Sequence, residues 1–99
     1  MTQDLKQKII QAVETDPHKD VIKSISIFGS YLHGDQKPNS DIDLLLELEK
    51  TVGLFTLAAI QINLEEKLGI KVDLVEKGSL SKYIKDDVLG EAQKVYERR

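Results

Sequence analysis

Between Val21 and Phe28 the chain sets Ile25 and Ile27 alternately with Ser24 and Ser26. That is the period-two pattern of a strand with one apolar and one polar face. Such a strand persists only where its apolar face is covered, and the chain carries two segments suited to cover it. Leu5, Ile9, Ile10 and Val13 recur at helical spacing behind Asp4, which predicts an amphipathic helix of about ten residues ended by Asp16 and Pro17. Leu57, Ile60, Leu64 and Leu68 recur at three or four residues, with Ala58 beside them and Gly69 at the cap position, and predict a second helix with an apolar stripe. Glu65, Glu66 and Lys67 read as its solvated face.

Two more strands complete the framework. Asp41 to Leu48 carries Leu44, Leu45 and Leu46 in a row, and its length and turn-rich entry favour a buried strand over a helix. Ile70 to Val75 reads as a short third strand. Ser30 to Ser40, with Gly34, Pro38 and Asn39, reads as a short turn of helix followed by a loop. Ser79 to Tyr96 shows a looser helical pattern through Leu80, Tyr83, Ile84, Val88 and Leu89, interrupted near Gly90, with extended or frayed last residues. The alternation predicts an α/β (α+β) fold, a small three-stranded sheet flanked by helices. At 99 residues it is expected to be one domain spanning 1–99.

Fourteen basic and seventeen acidic residues leave a net charge of −3, which argues against broad nucleic-acid binding through phosphate neutralisation. The absence of cysteine excludes disulfides, thiolate zinc sites and cysteine nucleophiles together. The first residues lack the continuous apolar stretch of a signal peptide, and the longest mostly apolar run, Val52 to Ile60, is far short of the ~20 residues that span a bilayer. A cytoplasmic protein without membrane contact is the expectation.

Asp41 and Asp43 stand two residues apart at the start of a predicted strand, so both project from one face. Asp73 sits between Val72 and Leu74 in the next predicted strand, where a charge has little structural use. Converging carboxylates raise one another's pKa unless a cation neutralises them. Oxygen ligands without cysteine or a histidine pair favour magnesium or manganese, which leave coordination positions for substrate phosphates. His18 and His33 share no helical face and make no metal pair. The pattern points to phosphoryl or nucleotidyl transfer. Gly29 and Ser30 fit that chemistry: a glycine at a strand end admits close approach of a phosphate, and a following helix start offers free amides. Taken singly, Asp41 is also a common turn residue, Asp73 also an exposed edge-strand residue, and Tyr31 more simply a packing residue than a base-stacking one.

Gly29-Ser30, ten residues, then Asp41-Ile42-Asp43 matches the motif of the DNA polymerase β-like nucleotidyltransferases. The wider stretch GSYLHGDQKPNSDIDLLLEL, with LFTLAAI, KVDLVE and a tail in VYE, resembles their minimal branch, small proteins paired as antitoxins with HEPN-domain toxins. Leu32 and His33 stand where that branch usually has alanine and arginine, and a mostly neutral imidazole is no substitute for a guanidinium contact.

The resemblance implies a polymerase β palm-like fold and a site in which Gly29 and Ser30 bind the nucleotide while Asp41, Asp43 and Asp73 ligate Mg2+ or Mn2+ and serve catalysis. It further implies ATP as donor and a tyrosine of a HEPN ribonuclease toxin as acceptor. Two alternatives stand beside it: a non-catalytic antitoxin that neutralises its partner by occlusion, and a nucleotidyltransferase acting on a small-molecule hydroxyl.

Overall fold

A computed structural model describes residues 3–29 and 41–98 of the chain. The predicted short helix and loop of residues 30–40, with Ser30, Tyr31, Leu32 and His33, lies outside the described residues. In chain order the elements are helix α1 (Gln3–Glu14), strands β1 (Ile22–Phe28) and β2 (Ile42–Leu48), helix α2 (Leu54–Leu68), strand β3 (Val72–Glu76), helix α3 (Lys82–Glu91) and strand β4 (Gln93–Glu97). The strands form one mixed sheet in the order β3-β2-β1-β4. β1 is antiparallel to both β2 and β4, whereas β2 and β3 run parallel.

The sheet is therefore four-stranded, one strand more than the sequence pattern predicts. The looser helical pattern from Ser79 to Tyr96 holds as far as α3, and the residues after it, expected to be extended or frayed, form β4. The difference is tertiary. Val95 and Tyr96 follow an unremarkable polar stretch, but Ile25 of β1 lies opposite Tyr96 and Ser26 opposite Lys94, with Val95 bulged between and buried. An open edge of β1 satisfies the backbone of Gln93–Glu97.

The two faces of the sheet are chemically distinct. On one, Ile25, Ile27, Ile42, Leu44, Leu46, Val72 and Val95 are buried together with Ile9, Ala12 and Val13 of α1 and Ile60, Leu64 and Leu68 of α2. Each fully buried aliphatic side chain contributes roughly 1.5–3 kcal/mol, so this layer holds α1 and α2 to the sheet. α2 ends as expected: Gly69 adopts φ 68° and its N–H donates to the Glu65 carbonyl at 2.8 Å, a left-handed cap suited to a residue without Cβ. Glu65 itself departs from the expected solvated face. It is half-buried, and its Oε2 accepts the N–H of Val72 at 2.9 Å. That hydrogen bond ties the start of β3 to α2, one residue ahead of Asp73.

α1 and α2 are also joined by a buried polar link. Asn63 Nδ2 donates to the Ala12 carbonyl and to Asp16 Oδ2, both at 3.0 Å, and the His18 N–H donates to Asp16 Oδ1 at 2.7 Å. Asp16 is only 4% exposed. Asn63→Leu leaves a buried carbonyl and a buried carboxyl short of a donor, at a cost of about 1–3 kcal/mol. The expected result in thermal unfolding is a midpoint lowered by roughly 5–15 °C; an unchanged midpoint refutes the structural role of the link.

Candidate active site

The opposite face of the sheet carries the acidic residues. Strand alternation sends Ile42, Leu44 and Leu46 into the core and turns Asp43, Leu45 and Glu47 onto the other face, where Leu45 is itself covered. On β3 the same alternation buries Val72 and exposes Asp73. The parallel register sets Asp43 directly beside Asp73, and the antiparallel register sets it beside Phe28. Asp41 lies one residue before β2, on the Asp43 side, and is exposed.

The Asp43 carboxyl feels this arrangement. Burial pushes its pKa above the ordinary 3.8, and Asp73, through charge and carboxyl-to-carboxyl hydrogen bonding, pushes it further, with Asp41 adding repulsion. Asp43 and Asp73 thus act on each other across the ladder, while Asp41 adds its charge from outside it. Among the described residues no three Asp, Glu, His or Cys side chains stand as a ready-drawn metal cage. The donor set still fits a hard divalent cation: all-oxygen, doubly or triply negative, and strained by its own repulsion in a way that either a proton or a cation relieves.

Gly29 closes the site from β1. Its φ is 75°, and a Cβ built there would lie 3.1 Å from Asp43 Cγ and nearer still to Oδ2. The glycine is therefore required twice, for the left-handed backbone and for the room it leaves to the carboxylate. Of the expected site residues, Gly29, Asp41, Asp43 and Asp73 come together at one end of the β1–β2–β3 rungs. Ser30 follows Gly29 in the chain and lies outside the described residues.

Sequence reasoning passed over one group on the same face. Glu47 stands two strand steps from Asp43, opposite Ser24. Ser24 Oγ donates to its Oε1 at 3.2 Å, and the ammonium groups of Lys77 and Lys23 lie 3.4 and 3.7 Å from its Oε2. Partial burial pushes the Glu47 carboxyl up, but Lys77, then Lys23 and Ser24, outweigh it and hold the carboxyl below its ordinary value. The alternation of β2 predicts the face of Glu47; only the fold supplies its lysine partners.

The chain is similar to known proteins over most of its length. The model of the nucleotidyltransferase domain matches residues 6–95. A candidate protein adenylyltransferase of Methanocaldococcus jannaschii is 39% identical over 89 residues, covering 90% of this chain and 91% of its own. The protein adenylyltransferase MntA of Thermococcus cleftensis is 40% identical over 70 residues, 71% of each chain. A solved toxin-antitoxin structure with AMP-PNP contains a chain that superposes with a TM-score of 0.78 at 28% identity, over 95% of this chain and 74% of that one.

Proposed function

The chain belongs to the nucleotidyltransferase domain family, and from that premise we propose that it is an antitoxin that transfers AMP from ATP to a tyrosine hydroxyl of a HEPN-domain ribonuclease toxin. The observation that carries the reading is the Asp43–Asp73 pair, set side by side by the β2–β3 register beneath Gly29. Support comes from relatives named as protein adenylyltransferases and from the toxin-antitoxin structure that shares the fold.

In this reading Asp41, Asp43 and Asp73 hold magnesium or manganese. Held there, the ion would supply Lewis acidity that neutralises phosphate oxygens and eases ionisation of the acceptor hydroxyl. Gly29 and Ser30 hold the triphosphate by close backbone approach. The acceptor oxygen forms a bond to the α-phosphorus as the bond to the bridging oxygen of pyrophosphate breaks, so pyrophosphate leaves with its electron pair. In this reading Asp73, the more exposed member of the pair, takes the phenolic proton. No helix among the described residues is long and apolar enough to cross a membrane.

A partner needs a surface. Leu54 and Phe55 at the start of α2 are 83% and 95% exposed, which suits adhesion to another chain and keeps occlusion without transfer as the competing reading. Intact-mass analysis of the HEPN partner, incubated with this chain, ATP and Mg2+ or Mn2+, decides between them. One or more adenylate increments are expected, absent with Asp41→Asn/Asp43→Asn. An unchanged mass with persisting neutralisation overturns transfer in favour of occlusion.

A further inference from the structure

Helix α2 carries a second apolar stripe besides the one it turns to the sheet. Leu57, Ile60, Leu64 and Leu68 face the core, whereas Phe55, Ala58 and Ile62, spaced at i, i+3 and i+7, line the outer side with Ala59 beside them. Among the described residues the large hydrophobic side chains left exposed are Leu54, Phe55 and Ile62, and all three lie on this helix. No charged residue stands between Lys50 and Glu65, so the outer side lacks the polar character of a helix that faces water alone. A contiguous exposed apolar patch on a small domain marks an interaction surface.

The order of side chains along the stripe identifies its occupant. From Phe55 to Ile62 it runs large, small, small, large, with its midpoint between Ala58 and Ala59. A second α2 laid antiparallel about a twofold axis at that midpoint sets each Phe55 beside the partner's Ile62 and brings alanine against alanine, where helix axes approach to roughly 8 Å. The ends match in charge as well. α2 begins at Gly53 without a side-chain cap and with no acid in its first turn, so no side chain there offsets the positive end of its dipole. Exposed Glu66 continues the stripe one turn beyond Ile62, and in the antiparallel pair it comes to the uncapped end of the partner helix. Phe55 presents roughly 150–200 Å2 and the whole stripe with Leu54 roughly 400–500 Å2, so two copies bury about 1,000 Å2, the size at which specific interfaces begin. In the transfer reading an acceptor must reach Asp43 on the opposite face of the sheet. A copy of this chain docked on α2 leaves both acid clusters open, facing away from each other.

We propose that the outer face of α2 is the self-complementary interface of a homodimer, closed by antiparallel pairing of two α2 helices about Ala58 and Ala59. The inference stands apart from the chemistry of the acid cluster and adds an assembly that presents two such clusters at once. Because the buried area lies at the lower limit for a specific interface, association is weak, half complete at a concentration on the order of 10 μM.

Sedimentation equilibrium of the full chain from about 1 to about 200 μM tests this. The wild-type mass is expected to rise from the 11.2 kDa of one chain towards twice that value. Phe55→Glu is expected to stay at the mass of one chain throughout, with the wild-type unfolding midpoint at the lowest concentration, since this side chain lies outside the core. Cross-linking reads the register. The chain contains no cysteine, so a single introduced thiol pairs only with its own image. Ala58→Cys, next to the axis, is expected to oxidise to a disulfide-linked dimer, whereas Gln7→Cys on the exposed side of α1 stays monomeric under the same conditions. A wild type that is monomeric at every concentration, a dimer that persists in Phe55→Glu, or an Ala58→Cys chain that fails to link overturns the inference. If the wild type is monomeric and Phe55→Glu instead releases the HEPN partner, the face belongs to that partner and the homodimer falls. Each of these outcomes leaves AMP transfer to be decided by the mass of the partner.

Discussion

Asp43→Asn is expected to remove transfer activity by at least about 100-fold while making the metal-free protein more stable. In the proposed mechanism the loss of activity follows from the several kilocalories of charge stabilisation that a divalent ion would supply at the reacting phosphate, each 1.4 kcal/mol being about tenfold in rate. The gain in stability follows from the environment of the side chain. Asp43 is pushed above its ordinary 3.8 by burial, by Asp73 and by Asp41, so the folded state holds the Asp43 proton more tightly than the unfolded chain does. Its contribution to stability is complete below about pH 3.8 and is lost as pH rises through the elevated folded value. At pH 7 the ionised carboxylate is a net cost, and an isosteric amide relieves it. Thermal unfolding in EDTA is expected to show the variant's midpoint raised. Added Mg2+ or Mn2+ raises the wild-type midpoint by mass action and leaves the variant's unmoved. A wild-type midpoint indifferent to both ions, or a metal-free variant less stable than wild type, removes the basis for a metal site at this pair. Because protons and cations compete for the same carboxylates, the metal-induced shift shrinks as pH falls toward the elevated Asp43 value.

Gly29→Ala is expected to be the most damaging change of a residue that performs no chemistry. Two independent costs coincide: an L side chain at φ 75° carries roughly 1 kcal/mol of backbone strain, and the new methyl meets the Asp43 carboxylate. The contact is relieved only if Asp43 rotates away from Asp73 or the end of β1 shifts, and either displaces the groups that in the proposed mechanism hold the α-phosphate. Misplacement by about 1 Å costs on the order of 100-fold in rate. The expected pattern is a kcat lowered by about that factor with the fold retained, seen as an unfolding midpoint lowered by no more than roughly 10 °C. A normal kcat in Gly29→Ala is incompatible with the close approach described for the site. The double variant Gly29→Ala/Asp43→Asn separates the causes. If the collision with the carboxylate dominates, the second change adds little to the activity already lost, and the two effects are far from additive.

Most of the elements are legible in the residues because each rests on a local period. The Ile25, Ile27 alternation is β1, the leucine stripe with Gly69 is α2, and Leu5, Ile9 and Val13 mark α1; all three lie within a few residues of their expected bounds. The end of the chain was not legible. Leu80, Val88 and Leu89 fit a loose helical pattern that breaks near Gly90, and although the last residues read as extended or frayed, nothing in them says that β1 has a vacant edge antiparallel to Gln93–Glu97. Glu65 was misplaced for the same reason. A charge beside Glu66 and Lys67 reads as solvated, and only the approach of β3 gives it the Val72 N–H to accept.

The sequence alone determined the chemical alphabet of the site. Spacing puts Asp41 and Asp43 on one side of a strand, a glycine ends the strand before them, and a third acid lies in the next strand, because side-chain direction within a strand is a local property of the backbone. What it could not decide is which rungs of different strands meet. The parallel β2–β3 register places Asp73 beside Asp43 rather than a residue away, where it would face the core. The antiparallel β1–β2 register brings Gly29 against the same carboxylate and sends Ser26, Leu45 and Glu47 away from it along one furrow. Those registers are set by burial of Ile25, Ile27, Leu44, Leu46 and Val72 beneath α1 and α2. The hydrophobic layer on one face of the sheet thereby fixes the polar geometry on the other, since a slip of one residue would expose the core and bury the acids together.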